Sequence, residues 1–181
     1  MGLIKGIFDD IKMRITDPNG YTGKYGEDLT AKKLSVVKLF GRSGVMLRNV
    51  YIPTENNETT EIDLLYITQK GIFVLESKNY SGWIFGDEYQ YKWTSSLPNG
   101  EKFHFYNPIK QNKMHIKWLK EYLCEDIPMF SLIVFSERCE LKKVTIKSDD
   151  VYVFNRDVMY WEIRRIWESA MDCLSKEKIE E

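Results

Sequence analysis

Short apolar runs separated by turn residues occupy most of the chain and favour β-strands. Side chains alternate across a strand, and β-branched and aromatic residues pack well on a pleated sheet. This pattern predicts strands at residues 45–52, 64–68, 72–75, 83–85, 89–93, 102–106, 130–135, 144–147 and 151–154. The apolar run at 130–135 predicts a central strand buried on both faces. Aromatic residues within 83–106 either pack under a small sheet or stack on nucleic-acid bases.

Apolar residues spaced three and four apart predict helices in the same domain. The first helix spans residues 23–40, where the apolar stripe extends back to Glu27 near the helix start. The second begins at Asn107, because asparagine is a favoured N-cap and Pro108 suits the first helical position. Both helices are expected to cover the sheet.

A third helix is predicted near the end of the chain, with a cap at Asn155 or Asp157 and an end at about Ser175. The residues expected to face inward from it are Val158, Trp161, Ile166, Ala170 and Leu174. The Lys- and Glu-rich tail beyond this helix is expected to face solvent.

The first 16 residues have helical apolar spacing of their own, and the turn residues Asp17-Pro18-Asn19-Gly20 follow them. This segment either packs on the domain's core or serves as a dimerisation or membrane-edge helix. We therefore expect an N-terminal amphipathic helix and turn at residues 1–22 and one domain at residues 23–181. A homodimer through residues 1–16 is one predicted partner arrangement.

Charge and cysteine content narrow the class of protein. The chain of 181 residues carries 26 basic and 27 acidic side chains, a balance that argues against permanent coating of nucleic acid but allows a local basic patch. The sequence contains no recognisable signal or membrane span, so we expect a cytoplasmic protein without stable membrane insertion. The cysteines lack metal-ligand spacing and are interpreted as buried, reduced thiols: Cys124, Cys139 and Cys173.

The central predicted hairpin contains three charged residues, Asp63, Glu76 and Lys78. Glu76 and Lys78 are two apart and therefore share one face of their strand. Asp63 joins that face, opposite or diagonal to Glu76, if the turn contains an even number of residues. A two-residue turn at Lys70-Gly71 would place it opposite Lys78 and diagonal to Glu76. The alternative interpretation is that these charges at strand ends are simply solvated.

The chemistry of this trio indicates metal-assisted phosphodiester hydrolysis. Two carboxylates close together in an apolar setting repel each other, so one takes up a proton unless a cation neutralises the pair. Oxygen-rich sites of this kind suit Mg²⁺ or Mn²⁺, with water and phosphate oxygens completing the coordination. Lys78, just beyond the second carboxylate, would orient an attacking water or offset charge on a phosphate.

The two predicted helices offer further polar side chains. Glu27 either interacts with the helix dipole or acts as a third carboxylate. On the second helix, Gln111 and His115 lie one turn apart. A stripe of lysines runs beside them: Lys110, Lys113, Lys117 and Lys120. This stripe is either a solvated face or, with His115, a track for a nucleic-acid backbone.

Four motifs resemble those of the nuclease-related domain family, NERD. In chain order they are Gly23-x-x-Gly26-Glu27, Glu61-Ile62-Asp63, Gly71-Ile72-Phe73-Val74-Leu75-Glu76-Ser77-Lys78-Asn79-Tyr80-Ser81-Gly82 and Asn107-Pro108-Ile109-x-Gln111-Asn112. The likeness covers residues 23–135. Similarity places that family in the PD-(D/E)xK nuclease superfamily, which implies a single α/β domain of the restriction-endonuclease type, a mixed central β-sheet flanked by α-helices. Ile62 stands where the superfamily's motif has proline.

The resemblance also implies roles for individual residues. Asp63, Glu76 and Glu27 would be ligands of Mg²⁺ or Mn²⁺. Lys78 would be the catalytic lysine, and Gln111 would match the polar residue on the helix after the core strands. We therefore expect catalytic roles for all five.

The predicted function is hydrolysis of phosphodiester bonds in DNA by a divalent-metal-dependent nuclease. Contacts to the nucleic acid are predicted from Lys110, Lys113, Lys117 and His115. One alternative is a catalytically weak or inactive nuclease-fold module that binds nucleic acid or a partner protein. Another is a scaffold or membrane-edge adaptor that uses residues 1–16.

Overall fold

Two mixed β-sheets and four α-helices make up the described part of the chain. The computed structural model describes residues 21–39, 44–55 and 58–180, so the helix predicted at residues 1–16 lies outside the described residues. The elements in chain order are α1 (Tyr21–Leu39), β1 (Gly44–Pro53), β2 (Thr59–Thr68), β3 (Gly71–Lys78), β4 (Gly82–Asp87), β5 (Lys92–Ser96), β6 (Lys102–Tyr106), α2 (Pro108–Leu123), β7 (Met129–Phe135), β8 (Cys139–Thr145), β9 (Val151–Asn155), a 3₁₀ turn (Arg156–Val158), α3 (Met159–Ser169) and α4 (Lys176–Glu180).

The larger sheet has the strand order β1-β2-β3-β7-β9. Strands β1, β2 and β3 form an antiparallel meander, whereas β7 runs parallel to both β3 and β9. Parallel pairing requires a crossover, and the chain between β3 and β7 contains the second sheet's first three strands and α2. Strand β7 has neighbours on both sides and is almost wholly buried, which confirms the central strand predicted at 130–135.

Helices cover both faces of this sheet. On one face, Leu34 of α1 and Ile163 of α3 share a buried cluster with Phe73 of β3. On the other face, Leu119 of α2 shares a cluster with Val74 of β3. The mixed α/β single domain with helix-flanked sheets is thus confirmed, and it is consistent with a nuclease-like fold.

The smaller sheet has the order β6-β5-β4-β8 and packs on the end of the larger one. Its Ile84 and Trp93 are fully buried in a cluster that includes Phe135 of β7. The Trp93 and Phe135 rings stack with centroids 6.0 Å apart. Gly86 is required under this tryptophan, because a Cβ there would lie 2.1 Å from a Trp93 ring carbon. The aromatic residues Trp93 and Phe105 therefore pack between the sheets.

Two strand predictions in this region are wrong. The strand expected at 89–93 begins only at Lys92, because residues 88–91 form the connection that follows β4. The strand expected at 144–147 instead begins at Cys139, which pairs with Gly82 of β4. Strand β8 lacks an apolar run and exposes Glu140, Lys142 and Lys143, so only the pairing with β4 reveals it.

The C-terminal helix also differs from its prediction. Helix α3 ends at Ser169 instead of continuing to about Ser175. Val158 and Trp161 are 40% and 62% exposed, whereas the core-facing residues include Met159 and Ile163. The physical reason is the 3₁₀ turn before the helix, which changes the phase of its buried face.

The tail after α3 contributes to the core. Ile179 of α4 is 5% exposed and belongs to the same cluster as Leu119, so the expected solvent-facing tail is wrong in part. The cysteines are unpaired, but only Cys139 is buried, whereas Cys124 and Cys173 are exposed. Among the described helices, none is sufficiently long and apolar to cross a membrane.

Candidate active site

The β2–β3 hairpin sets the geometry of the site. Thr68 pairs with Gly71, so the turn is Gln69-Lys70, one residue earlier than expected. Gly71 has φ +122°, and a Cβ there would lie 2.3 Å from the Pro128 carbonyl oxygen. The register pairs residue 64 with residue 75 and, when continued by one position, brings Asp63 opposite Glu76. The expected position opposite the lysine is therefore wrong.

Strand β2 is irregular at Asp63. Leu64 packs on the face covered by α1 and α3, whereas Ile62 and Leu65 both pack on the α2 face. In a regular strand, residues 62 and 64 would share a face. Asn49, which lies on β1 between the partners of Ile62 and Leu64, has the left-handed φ of +50°. The site thus lies where the alternation of two adjacent strands is interrupted.

A cleft of about 420 Å³ opens beside this irregularity. Its lining residues are Gly23, Glu27, Asp63, Glu76, Ser77, Lys78, Asn79, Tyr80 and Gln111. The fold therefore brings together the five residues for which catalytic roles are predicted. They come from α1, β2, β3 and α2, four elements that are separate in sequence.

Glu76 and Lys78 form an ion pair in the cleft. The lysine Nζ lies 2.7 Å from Glu76 Oε1 and donates a hydrogen bond of 3.1 Å to Gln111 Oε1. Burial lowers the pKa of Lys78, but the negative charge of Glu76 outweighs this effect, so the pKa of the lysine is raised. For Glu76, burial raises the pKa, but His115 and Lys78 together lower it below its ordinary value. Both side chains are therefore held in their charged forms.

The second oxygen of Glu76 faces His115. The His115 Nε2 lies 3.3 Å from Glu76 Oε2, but within the described residues neither atom has a partner with hydrogen-bond geometry. The other ring nitrogen lies 2.8 Å from Thr60 Oγ1. Thr60 therefore fixes the histidine ring through Nδ1, and the opposite nitrogen, Nε2, lies beside the Glu76 carboxylate.

Asp63 resists ionisation more strongly than an ordinary aspartate. Burial and then the negative charge of Glu76 raise its pKa well above the ordinary value, while the backbone N–H of Ser77 opposes this. That N–H donates to Asp63 Oδ2 at 2.8 Å. The expected repulsion between two buried carboxylates is therefore present at this pair.

Glu27 reaches the cleft from α1. Burial raises its pKa, and the charges of Glu61 and Glu76 add to that rise. The Asn49 Nδ2 bridges two of these acids, at 3.2 Å from Glu27 Oε2 and 3.1 Å from Glu61 Oε1. The first turn of α1 contains no acidic residue, so Glu27 is too far along the helix for the dipole interpretation to apply.

A glycine permits α1 to approach β3. A Cβ on Gly26 would lie 2.7 Å from the Cβ of Asn79, closer than real side chains approach. One turn later, Thr30 Oγ1 lies 2.9 Å from Ser77 Oγ. This close contact places the neighbouring Glu27 at the cleft.

The predicted nucleic-acid track on α2 is corrected at one position, His115, and Lys113 has partners that were not expected. His115 is 5% exposed beside Glu76, so it lies inside the protein and not on the lysine face. Lys113 Nζ pairs with Glu88 at 2.7 Å and donates to Ser148 Oγ at 3.2 Å. Both partners lie on distant loops that the helical pattern cannot indicate. The nucleic-acid role of Lys110, Lys113 and Lys117 stays a prediction.

The contact between His115 and Glu76 is the functional feature that sequence reasoning missed. The available signal was the four-residue spacing from Gln111, which places both side chains on one face of α2. Asn49 gave no signal, because its role depends on the left-handed backbone and on strand pairing. Across residues 21–39, 44–55 and 58–180, no group of three His, Cys, Asp or Glu side chains is arranged to hold a metal.

Comparisons with known proteins agree with this architecture. Residues 22–136 match the nuclease-related domain family. An uncharacterized protein of Bacillus anthracis is 37% identical over 152 residues, which cover 84% of this chain and 68% of that protein. The family match includes α1, the hairpin, the start of α2 and the central strand β7. The chain belongs to the nuclease-related domain family, NERD.

Proposed function

We propose that this chain is a divalent-metal-dependent nuclease that hydrolyses phosphodiester bonds in DNA. The observation that supports it is the convergence of Asp63, Glu76 and Lys78 in one cleft, with Glu27 and Gln111 at its walls. A buried carboxylate that pairs with a lysine and adjoins a second, half-buried carboxylate is costly to maintain unless it serves binding or chemistry. A scaffold has no need of this arrangement.

The donor set fits a hard divalent cation. Mg²⁺ commonly uses one or two protein carboxylates and completes its coordination with water and substrate phosphates. Asp63 and Glu76 provide two such groups, and Glu76 Oε2 has no hydrogen-bond partner among the described residues. Glu27 is close enough for Glu76 to raise its pKa, so it is the third candidate ligand. Bound Mg²⁺ or Mn²⁺ would supply charge neutralisation at the phosphate and acidification of a water.

The chain's own residues would position and stabilise the reacting groups. The Ser77 N–H orients the Asp63 carboxyl group, and His115 adjoins Glu76 on the side away from Lys78. Gln111 accepts a hydrogen bond from Lys78 and so holds the ammonium at the cleft. In this position the ammonium would stabilise negative charge that develops on the phosphate during hydrolysis.

A second candidate is a nuclease-fold module that binds nucleic acid or a protein without cutting. Two observations favour it. Lys78 already neutralises one oxygen of Glu76 at 2.7 Å, and the described residues contain no group of three metal-ligating side chains in place. Such a module would bind nucleic acid equally well with or without a divalent ion.

A cleavage assay separates the two candidates. Labelled single- and double-stranded DNA and RNA are incubated with wild type, Glu76→Gln and Lys78→Met in Mg²⁺, Mn²⁺ or EDTA. We expect cleavage only with a divalent ion and a loss of roughly 100-fold or more in either variant. Lys142→Gln, an exposed lysine outside both the cleft and the predicted nucleic-acid track, is the matched control. Cleavage that survives in Glu76→Gln would contradict the proposal, and binding without cleavage would favour the second candidate.

Two further expectations accompany this function. We propose a homodimer through residues 1–16, tested by the molar mass in solution of the full chain and of a variant lacking those residues. A monomeric full chain, or the same number of chains per particle in both proteins, would contradict it. We also propose a cytoplasmic location, which the unpaired thiols of Cys124, Cys139 and Cys173 support.

A further inference from the structure

A second depression adjoins the candidate active site. It has a volume of about 240 Å³ and shares Asn79 with the cleft, so the two spaces are neighbours on one surface. Its lining residues include Tyr25 of α1, Arg138, which follows β7, and Arg156, which follows β9. None of these residues belongs to the predicted catalytic set.

The charge of the depression favours an anion. Arg138 is exposed, and its Nη2 donates to Asn79 at both the backbone oxygen (3.2 Å) and Oδ1 (3.0 Å). Arg156 is 1% exposed and pairs through Nη1 with Glu137 at 2.7 Å. Its Nη2 has no hydrogen-bond partner in the described part of the chain. Two guanidinium groups against one carboxylate leave a net positive charge, and guanidinium matches phosphate geometry.

Tyr25 adds an aromatic surface to this positive charge. Its side chain is 55% exposed, unusual for a large ring that lines a depression. Tyr25 lines the depression together with Asn79, the residue that the depression shares with the cleft. Exposed aromatic rings beside basic groups provide stacking surfaces for unpaired bases.

We propose that this depression binds one unpaired nucleotide of a nucleic-acid strand, next to the phosphate held in the cleft. Its phosphate would bind at Arg138 and Arg156, and its base would stack on Tyr25. The inference rests on the proposed function and deepens it, because it selects strands with unpaired nucleotides over continuous duplex.

Binding measurements without cleavage test this subsite. Fluorescence anisotropy is recorded in EDTA with a labelled thymidine oligomer of about 12 nucleotides, within the usual range of single-strand site sizes. A matched oligomer of abasic phosphates and a duplex of the same length serve as comparison probes. The variants are Tyr25→Ala, Tyr25→Phe and Arg138→Gln. Tyr89→Ala and Arg165→Gln, exposed residues outside both depressions, are the controls.

The expected results differ by probe. Tyr25→Ala should weaken binding of the thymidine oligomer about tenfold and leave abasic and duplex binding unchanged, whereas Tyr25→Phe should stay within about twofold of wild type. Arg138→Gln should weaken both single-stranded probes and reduce the salt slope by about 1. Competition by free thymidine monophosphate at similar concentration would instead indicate a mononucleotide site and overturn the proposal.

Other outcomes would also overturn it. Tyr25→Ala binding equal to wild type on every probe would exclude the subsite, whatever the cleavage assay shows. Equal losses on thymidine and abasic oligomers would show that no base contacts the ring. If the wild type cleaves DNA but these variants bind normally, the subsite proposal is wrong and the nuclease proposal stands. If the variants lose binding but the wild type does not cleave DNA, the nuclease proposal is wrong and the subsite proposal stands.

Discussion

Lys78 Nζ lies 2.7 Å from Glu76 Oε1, on the same face of one strand and at the bottom of a single cleft. The lysine is therefore the counter-ion of the carboxylate as well as the candidate catalytic cation. Its side chain is 19% exposed and that of Glu76 only 2%. Loss of the ammonium would leave a buried carboxylate to be compensated by His115 alone.

Lys78→Met is expected to lower both activity and stability. Removal of one partner of a buried pair leaves an uncompensated charge, and we expect a loss of about 2 to 4 kcal/mol in the free energy of unfolding. Urea unfolding at neutral pH measures this loss. Lys117→Met removes an exposed lysine and should change stability by less than about 0.5 kcal/mol. Equal stability of the two variants would contradict the importance of the pair.

Asp63→Asn is expected to stabilise the metal-free protein while removing its response to metal. The carboxyl group is buried beside Glu76, and both burial and that charge raise its pKa. A neutral amide relieves the repulsion, so the melting temperature in EDTA should rise. Mg²⁺ or Mn²⁺ should raise the melting temperature of the wild type but not of the variant. An equal response of both proteins to the ions would contradict a metal site at this residue.

Glu88 is expected to make the protein sensitive to acid. Burial raises its pKa, but hydrogen bonds from Lys113, Ser148 and two backbone N–H groups prevail and lower it to about 2. Because the folded value lies below the unfolded one, this stabilisation is complete above about pH 4.5 and is lost as the pH falls towards 2. The contribution is at most about 3 kcal/mol.

Urea unfolding across this acidic range compares wild type with Glu88→Gln. The variant should be less stable at neutral pH and should show a flatter dependence on pH between about 4.5 and 2. Lys113→Gln should resemble it in part, since it removes one of the hydrogen bonds. Parallel pH curves for wild type and Glu88→Gln would refute the assigned role.

Two glycines of α1 offer a matched pair of alanine substitutions. Gly26→Ala places a Cβ 2.7 Å from Asn79 Cβ and should cost about 1 to 3 kcal/mol, because α1 must move away from β3. Gly23→Ala meets nothing within 4 Å and should stabilise the helix by up to about 1 kcal/mol. Urea midpoints of both variants check this difference in sign. Similar effects for both would mean that α1 does not contact β3 closely.

Local sequence patterns predicted much of the fold. The strands at 102–106 and 130–135 and the start of α2 at Pro108 follow from alternation, apolar runs and N-capping. Asn107 accepts a hydrogen bond from the Ile109 N–H, as its cap position requires. These features depend on residues within a few positions of one another, so the chain's order is sufficient to indicate them.

The sequence predicted which residues form the candidate site but not how they are placed relative to one another. Asp63, Glu76 and Lys78 were identified from spacing, and their relative positions depended on a turn that begins one residue earlier than expected. A shift of one residue changes every cross-strand neighbour. The position of Pro128 against Gly71 helps to select the observed turn, and it comes from a segment far along the chain.

The sequence by itself determined the charged trio, the two helices that approach it and the apolar central strand, because periodicity and local turn chemistry act over short distances. Only the tertiary structure decided that His115 adjoins Glu76, that Lys113 pairs with Glu88 and that Tyr25 and Arg138 line one depression beside the cleft. Each of these arrangements joins residues at least 25 positions apart. These residues come together because the sheets and helices pack against one another, and a local sequence pattern cannot indicate contacts between residues so far apart in the chain.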